Sequence, residues 1–496
     1  MMAQKTLKKA CKTISGLYQR NHHSFTAGSS TPIKIVFAIW LILVLPAMAY
    51  ADLHTAKSCS VSDVQDAVNA ATYGDTVKIP RGNCTWTSGI TISKDIHIVG
   101  EGADSTILNA GFPDDRALQA FFTFVPDATA RANLSSLSNT NLFEVSGITF
   151  AGPSPRLPFK FGVWVYNIYT PSIRRVRIHN NKFISIHRAV QVKGYVHGVF
   201  DSNDLIDTNG SYPQGVGLAM FTNDVMTTGS GDGWYIEDNT FSFSSVGCVS
   251  GAANDGYGHI VRYNTVAGKL DFYVESHSNQ LAYIKGGFFT EVYGNDFSAS
   301  TRQGGIDMRG GKNIIFSNKI TNASPRVREE FEDAASGALP PNMAPSTKPQ
   351  ICTDDNICWK VNHSYFWNNR QSVTNAIIPF FVLYDRYDNV KNNNPPELVE
   401  NREFWNKRPT GTFDGSGKPE HGGGVGCGTM DQMNAISPTT EGVGFWVTSQ
   451  SCSDLTGMVG ANPANPIKGT LYRNVSGTWK PYYTPYTYPH PLRTSF

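Results

Sequence analysis

An excess of charge of either sign is missing from this chain of 496 residues: 42 basic side chains stand against 40 acidic ones, and the formal net charge is only +2. Phosphate recognition needs a basic excess, so nucleic acid is not an expected partner. Disorder is excluded as well, because 40% of the residues are hydrophobic and 12% aromatic. Glycine and proline, 46 and 27 residues, fall well short of a collagen-like or low-complexity composition. No CxxC and no HxxxH occurs, which leaves zinc without an obvious ligand set. No GxSxG and no Walker sequence occurs either, so the run His421-Gly-Gly-Gly424 reads as a loop rather than a lipase oxyanion motif.

What is present begins with a leader. Residues 33–51, IKIVFAIWLILVLPAMAYA, follow a stretch with Lys5, Lys8, Lys9, Lys12, Arg20 and Lys34 and with no acid before Asp52. A basic start, an apolar run and a small-residue end describe a secretory signal, with an uncleaved membrane anchor as the alternative for residues 1–51. The run is short for a membrane span and Pro46 interrupts it. Either version exports the remainder as a secreted, periplasmic or surface protein. The cysteines suit an oxidising compartment: Cys59 with Cys84, Cys352 with Cys358 and Cys427 with Cys452 are the sequence-local pairs, and Cys248 is left as a buried thiol.

A pattern apolar-x-x-Asn-x-apolar then recurs around Asn181, Asn203, Asn239, Asn264, Asn295 and Asn318, at spacings of 22, 36, 25, 31 and 23 residues. Each unit is a set of short strands too small to bury its own apolar face, so the units must stack. Stacked in register, an inward Asn on every coil passes amide hydrogen bonds up the stack and satisfies polar groups that would otherwise be buried alone. Ahead of the coils, Ser62 and Gln65 fit a capping box, and Val64, Ala67, Val68 and Ala71 fall on one face of a short helix suited to cover the open end.

The stretch DVQDAVNAATYGDTVKIPRGNCTW, then ITISKDIHIVGEGADSTIL and the Asn-bearing coils, resembles the right-handed parallel β-helix superfamily of pectate-lyase type over about residues 59–385. The resemblance implies an all-β solenoid over 52–385 with an N-terminal helical cap. Residues 386–496 are expected as an irregular Gly, Pro and aromatic-rich extension, its Tyr- and Trp-dense end docked on the solenoid. The scaffold is shared by lyases, hydrolases and non-catalytic surface proteins, so it does not choose a chemistry.

Strand alternation puts His179, Asp201, Glu237, Arg262, Tyr293 and Phe316 on one outer column. It puts Asp271, Tyr273, Glu275, His277, Asp307 and Arg309, with Gln191 and Lys193, on another, leaving Phe272, Val274, Ile306 and Met308 inside. Eliminative cleavage of a uronic-acid polymer needs a cation against the carboxylate and a base for the adjacent proton. Asp271, Glu275 and Asp307 are the candidate ligands for Ca2+. Arg309, His277, Arg262 and Lys285 are the candidate bases or clamps, and Tyr273, Glu237 and Lys193 the candidate substrate contacts. The expected partner is an extracellular polysaccharide and the expected state a monomer. A non-catalytic adhesive protein is the alternative, and glycoside hydrolysis the weaker one. The arginine-rich signature of pectate lyases and the Asn-Thr-Asp, Gly-His-Gly and Arg-Ile-Lys elements of polygalacturonase-like hydrolases are all missing, which argues against a pectin substrate.

Overall fold

The computed structural model describes residues 51–114, 117–136, 138–153, 160–207, 214–219, 226–244, 248–252, 258–276, 289–301, 305–308, 310–322, 326–327, 361–382 and 399–494. Contacts divide the chain between Ala51 and Asp52, and the architecture belongs to the second unit, Asp52–Phe496. The leader, the pair Cys352 and Cys358, and the candidate bases His277, Lys285 and Arg309 lie outside the described residues.

Three long sheets of 12, 11 and 10 strands carry the unit, and the chain visits them in rotation. Val176–His179, Lys182–Ile184 and Arg188–Gly194 make one circuit, and Gly198–Asp201, Asp204–Asp207 and Gln214–Ala219 lie directly on it in parallel register. This arrangement fits a parallel solenoid. Its interior is built from the apolar residues that flank each pattern Asn. Ile178, Phe200, Ile236, Val261, Val292, Ile315 and Phe366 are successive register partners on the first sheet, and all are buried. The second sheet supplies Phe183, Leu205, Phe241, Val266, Phe297 and Ile320 in the same way.

The turn from first to second sheet is two residues long from Asn180 onward, and its chemistry is constant. Its first residue takes a left-handed conformation, at φ 52° for Asn180, 55° for Ser202, 58° for Asp238, 55° for Tyr263, 68° for Gly294 and 51° for Ser317. The second is the ladder Asn. Its backbone N–H and its Nδ2 both donate to the Oδ1 of the Asn one coil on, at 2.9–3.3 Å from Asn181 to Asn318. The sharp corner turns backbone groups away from the sheet ladder, and the amide column satisfies them. The column runs one rung further than the pattern shows, to Asn369, whose Oδ1 accepts from Asn318 at 2.8 and 3.3 Å.

Helix α1, Val61–Ala70, covers the open end with Val64, Ala67 and Val68 buried. Its cap differs from the expected capping box: Ser60, not Ser62, accepts from the Asp63 N–H at 3.3 Å. The disulfides Cys59–Cys84 and Cys427–Cys452 are formed, and Cys248 is a buried free thiol. The solenoid does not stop at residue 385, because Phe404–Asn406 still pairs with Ser364–Trp367 on the first sheet.

The C-terminal extension is more ordered than its composition implies. Val425–Gly428 and Gly444–Val447 pair in parallel, and Thr470–Val475 and Thr478–Tyr483 add antiparallel strands. Apolar residues of this small sheet and of the outer face of the first sheet share a second core that includes Tyr293, Phe316, Trp367, Trp446, Leu471 and Tyr483. Aromatics spaced for a strand thus find a partner surface that composition alone does not reveal.

Candidate functional site

The first expected outer column exists in register: His179, Asp201, Glu237, Arg262, Tyr293 and Phe316 are successive partners. From Asp201 onward, however, it lies under the C-terminal segment. Arg262 and Glu237 are each 0% exposed and pair at 2.5 Å. The Arg262 guanidinium also donates to the backbone carbonyls of Tyr486 and Thr487 at 2.8 and 2.9 Å. Arg493 closes the segment onto Asp201, Glu237 and Asp238. Burial alone would raise the Glu237 carboxyl, but Arg262 and Arg493 outweigh it and hold it below the ordinary carboxylate range. Neither Arg262 as base nor Glu237 as substrate contact is therefore reachable by a polymer, and both act as a clamp on the tail.

Glu291 sits under the same cover, accepting from the Tyr483 hydroxyl and the Gly229 N–H, each at 2.7 Å. Burial pushes its carboxyl up to about 7. Between about pH 4.5 and 7 the folded chain therefore keeps a proton that the unfolded chain has lost, so this group's stabilisation is full below 4.5 and lost as pH rises through 7. His490 works in the opposite sense, because burial lowers it to about 4 and stability is lost as pH falls from 6.5 towards that value. We expect the difference in unfolding free energy between wild type and Glu291→Gln to shrink steadily from pH 4.5 to 7.5 in urea titrations. A difference independent of pH would show that Glu291 is ionised throughout.

The third sheet presents the remaining candidates. From the Lys160–Asn167 strand to the Phe272–Ser276 strand the ladder skips one residue: Phe161 pairs with Arg188 and Val163 with Val190, then Cys248 with Phe272 and Ser250 with Val274. The skip turns two consecutive residues inward. Tyr273 consequently points into the core, stacked on Phe297 at 4.2 Å with its hydroxyl donating to Phe297 O at 3.0 Å, and is not an outer substrate contact. Phe272 faces the other way, under the Arg326 guanidinium. Val274, Ile306 and Met308 are inside as expected, and Glu275 and Asp307 are register partners on the outer column.

Asp307 is buried and paired with Arg326 at 3.0 Å, and Asp271 is buried too. Among the described residues no three His, Cys, Asp or Glu side chains converge on one point. Further down the same outer face stand Trp164, Tyr166, Arg188, Gln191, Gly217, Gly251 and Lys193, whose ammonium lies 5.7 Å over the Tyr166 ring. Trp164, Tyr166 and Arg188 are additions to the sequence-derived set. Alternation in KFGVWVYN carries the signal for the two aromatics, whereas Arg188 is recognisable only through the skipped rung.

Connection lengths single out this sheet. The corner from first to second sheet is constant, but the connections leaving the third sheet span 195–197, 220–233, 253–257, 277–288, 309–311, 328–363 and 383–403. In stacked repeats, insertions gathered on one side mark the binding face.

No family model and no curated protein matches this sequence. Among solved structures, ORF18 of Geobacillus virus E2 is similar over 60% of this chain and 67% of its own, at 12% identity and a TM-score of 0.27, a likeness too loose to inform on activity.

Proposed function

We propose that the chain is an exported right-handed parallel β-helix of pectate-lyase type that binds an acidic polysaccharide along the outer face of its third sheet and cleaves it by elimination. The observation that carries this reading is the gathering of all long insertions at the third sheet, beside an outer face bearing aromatics, amides and both signs of charge. Two disulfides suit an extracellular protein, and no helix among the described residues is long and apolar enough to cross a membrane. Elimination needs the substrate carboxylate neutralised while a base takes the adjacent proton and the glycosidic oxygen leaves. Either Ca2+ at Asp271, Glu275 and Asp307 or basic side chains of this face would supply that neutralisation. Arg309, which follows Met308 in the chain, remains the candidate base, with His277 and Lys285 in the connection after Ser276.

The alternative of a non-catalytic glycan-binding protein is favoured by one observation, the commitment of Asp307 to Arg326. Incubation of the mature chain with polyuronides, sulfated glycans and neutral glycans, with Ca2+ and with chelator, separates the readings. We expect ultraviolet absorbance from unsaturated sugar ends, abolished by Arg309→Ala, and loss of the signal in chelator would assign the neutralisation to Ca2+. New reducing ends without absorbance would establish hydrolysis, and retention without either signal would establish a binding protein.

A further inference from the structure

Arg326 and Arg188 both lie over phenylalanine rings on the outer face of the third sheet, but they differ in what neutralises them. Arg326 stands 5.3 Å over Phe272 and is paired with Asp307 at 3.0 Å. Arg188 stands 5.8 Å over Phe161, and its guanidinium donates to the side-chain oxygen of Gln191, a neutral acceptor. Arg188 Nε is buried without a hydrogen-bond partner, and no carboxylate pairs with this guanidinium among the described residues. A desolvated cation with no counter-charge is costly, and an anion from outside relieves that cost. Burial accordingly lowers its pKa. The side chain is nevertheless part-exposed, so such an anion can reach it.

The side chains next to Arg188 supply ring faces, hydroxyls and a spare donor. Phe161, under the guanidinium, meets Trp164 edge to face at 6.0 Å, and Trp164 meets Tyr166 at 5.7 Å. Trp164 is the register partner of Gln191, and its Nε1–H is buried without an acceptor. Both Trp164 and Tyr166 are part-exposed. Thr123 and Thr91 continue the Trp164 column in register, the first part-exposed and the second exposed. Aromatic faces and hydroxyls suit the uncharged surface of a sugar ring. The Asp307 strand lies four steps further along the solenoid, ~19 Å from the Arg188 strand, so this cluster is remote from the strand that Arg309 follows.

Building on the reading of this face as a glycan site, we propose that Arg188 is an anchoring anion subsite. It receives the carboxylate or sulfate of one sugar ring, which lies against Trp164, while neighbouring rings run past Thr123 and Thr91. The guanidinium forms charge-assisted hydrogen bonds to that group, and the anion supplies the counter-charge that the fold withholds. Gly217 is thereby a positioning residue. A Cβ there would stand 2.7 Å from Gln191 Oε1, 2.9 Å from Arg188 Cδ and 3.2 Å from Arg188 Nε, so a branched side chain displaces both partners.

The test is equilibrium binding of the mature chain to two pairs of polymers that differ only in charge: polygalacturonate against its methyl ester, and dextran sulfate against dextran. We expect the charged member of at least one pair to bind at least tenfold more tightly, and which pair it is assigns the anion as carboxylate or sulfate. Arg188→Met should abolish that preference and leave the uncharged member's affinity unchanged. Gly217→Val should weaken the preference without removing any charge, which general attraction to a basic protein would not do. Folding of each variant is checked by circular dichroism. If neither variant folds, the wild-type comparison within each pair still decides. Equal affinity within both pairs, or an unchanged preference in folded Arg188→Met, overturns the inference and leaves the glycan-binding reading standing. Retention of none of the four polymers overturns the inference, and silence across the wider glycan panel as well overturns both.

Discussion

Replacing Arg262 by Ala is expected to cost about 3–5 kcal/mol of unfolding free energy, the range for removing one partner of a buried ion pair. The Glu237 carboxylate would stay fully buried, still touching the His490 N–H and Arg493 but without its 2.5 Å partner. Two carbonyls of the tail would lose their donors at the same time. The segment beyond Tyr483 should then become accessible to protease while the solenoid stays folded. Urea unfolding and limited proteolysis read the two effects separately. Arg262→Lys keeps the charge but cannot reach Glu237, Tyr293 and two carbonyls at once, so it should recover only part of the loss. A folded Arg262→Ala protein with wild-type stability and no lyase activity would instead restore Arg262 as a catalytic base.

The second large effect is expected inside the Asn column. Asn264 Oδ1 accepts from both the N–H and the Nδ2 of Asn239, and its own Nδ2 donates to Ile236 O, Arg262 O and Asn295 Oδ1, all at 2.9–3.0 Å. Asn264→Ala leaves two donors of Asn239 without an acceptor in a site closed to water. At ~1–3 kcal/mol for each buried group left unsatisfied, a loss of at least 3 kcal/mol is expected. Asn264→Asp keeps the acceptor but not the donors, and should fall between. Asn181 is the milder position, since the coil before it carries Ile148 where an Asn would stand, with only a backbone N–H donating to Asn181 at 3.1 Å. Thermal unfolding of the three variants gives the ranking. Equal losses at Asn181 and Asn264 would mean that the column contributes turn geometry alone.

The column also shows how much of the fold was legible. Five of its links follow from an Asn repeat with apolar flanks, because a buried amide stack needs the same residue at the same turn in each coil. The sixth, Asn318 to Asn369, was hidden because Gln371 breaks the apolar flank and 51 residues separate the two asparagines. The outer column on the first sheet was legible as a column, since alternation has a period of two. Its accessibility was not, because the covering tail comes from residues more than 200 positions away in the chain.

Tyr273 illustrates a local limit. A period of two places it outside, but a skipped ladder residue repeated in successive coils shifts the phase by one and sends it inward. Composition also misread residues 425–483, where glycines and prolines mask four strands that share a core with the aromatic half of the first sheet.

By itself, then, the sequence determined the stacking: short apolar strands that cannot be buried singly, an Asn at each corner, a helix for the open end and local cysteine pairs. Tertiary structure alone decided which outer column the tail covers. A column of charged side chains costs free energy unless solvent or a counter-charge meets it, and Arg493, together with the carbonyls of Tyr486 and Thr487, supplies that complement to Asp201, Glu237 and Arg262 on the first sheet. No segment of the described chain provides a carboxylate for Arg188 on the third.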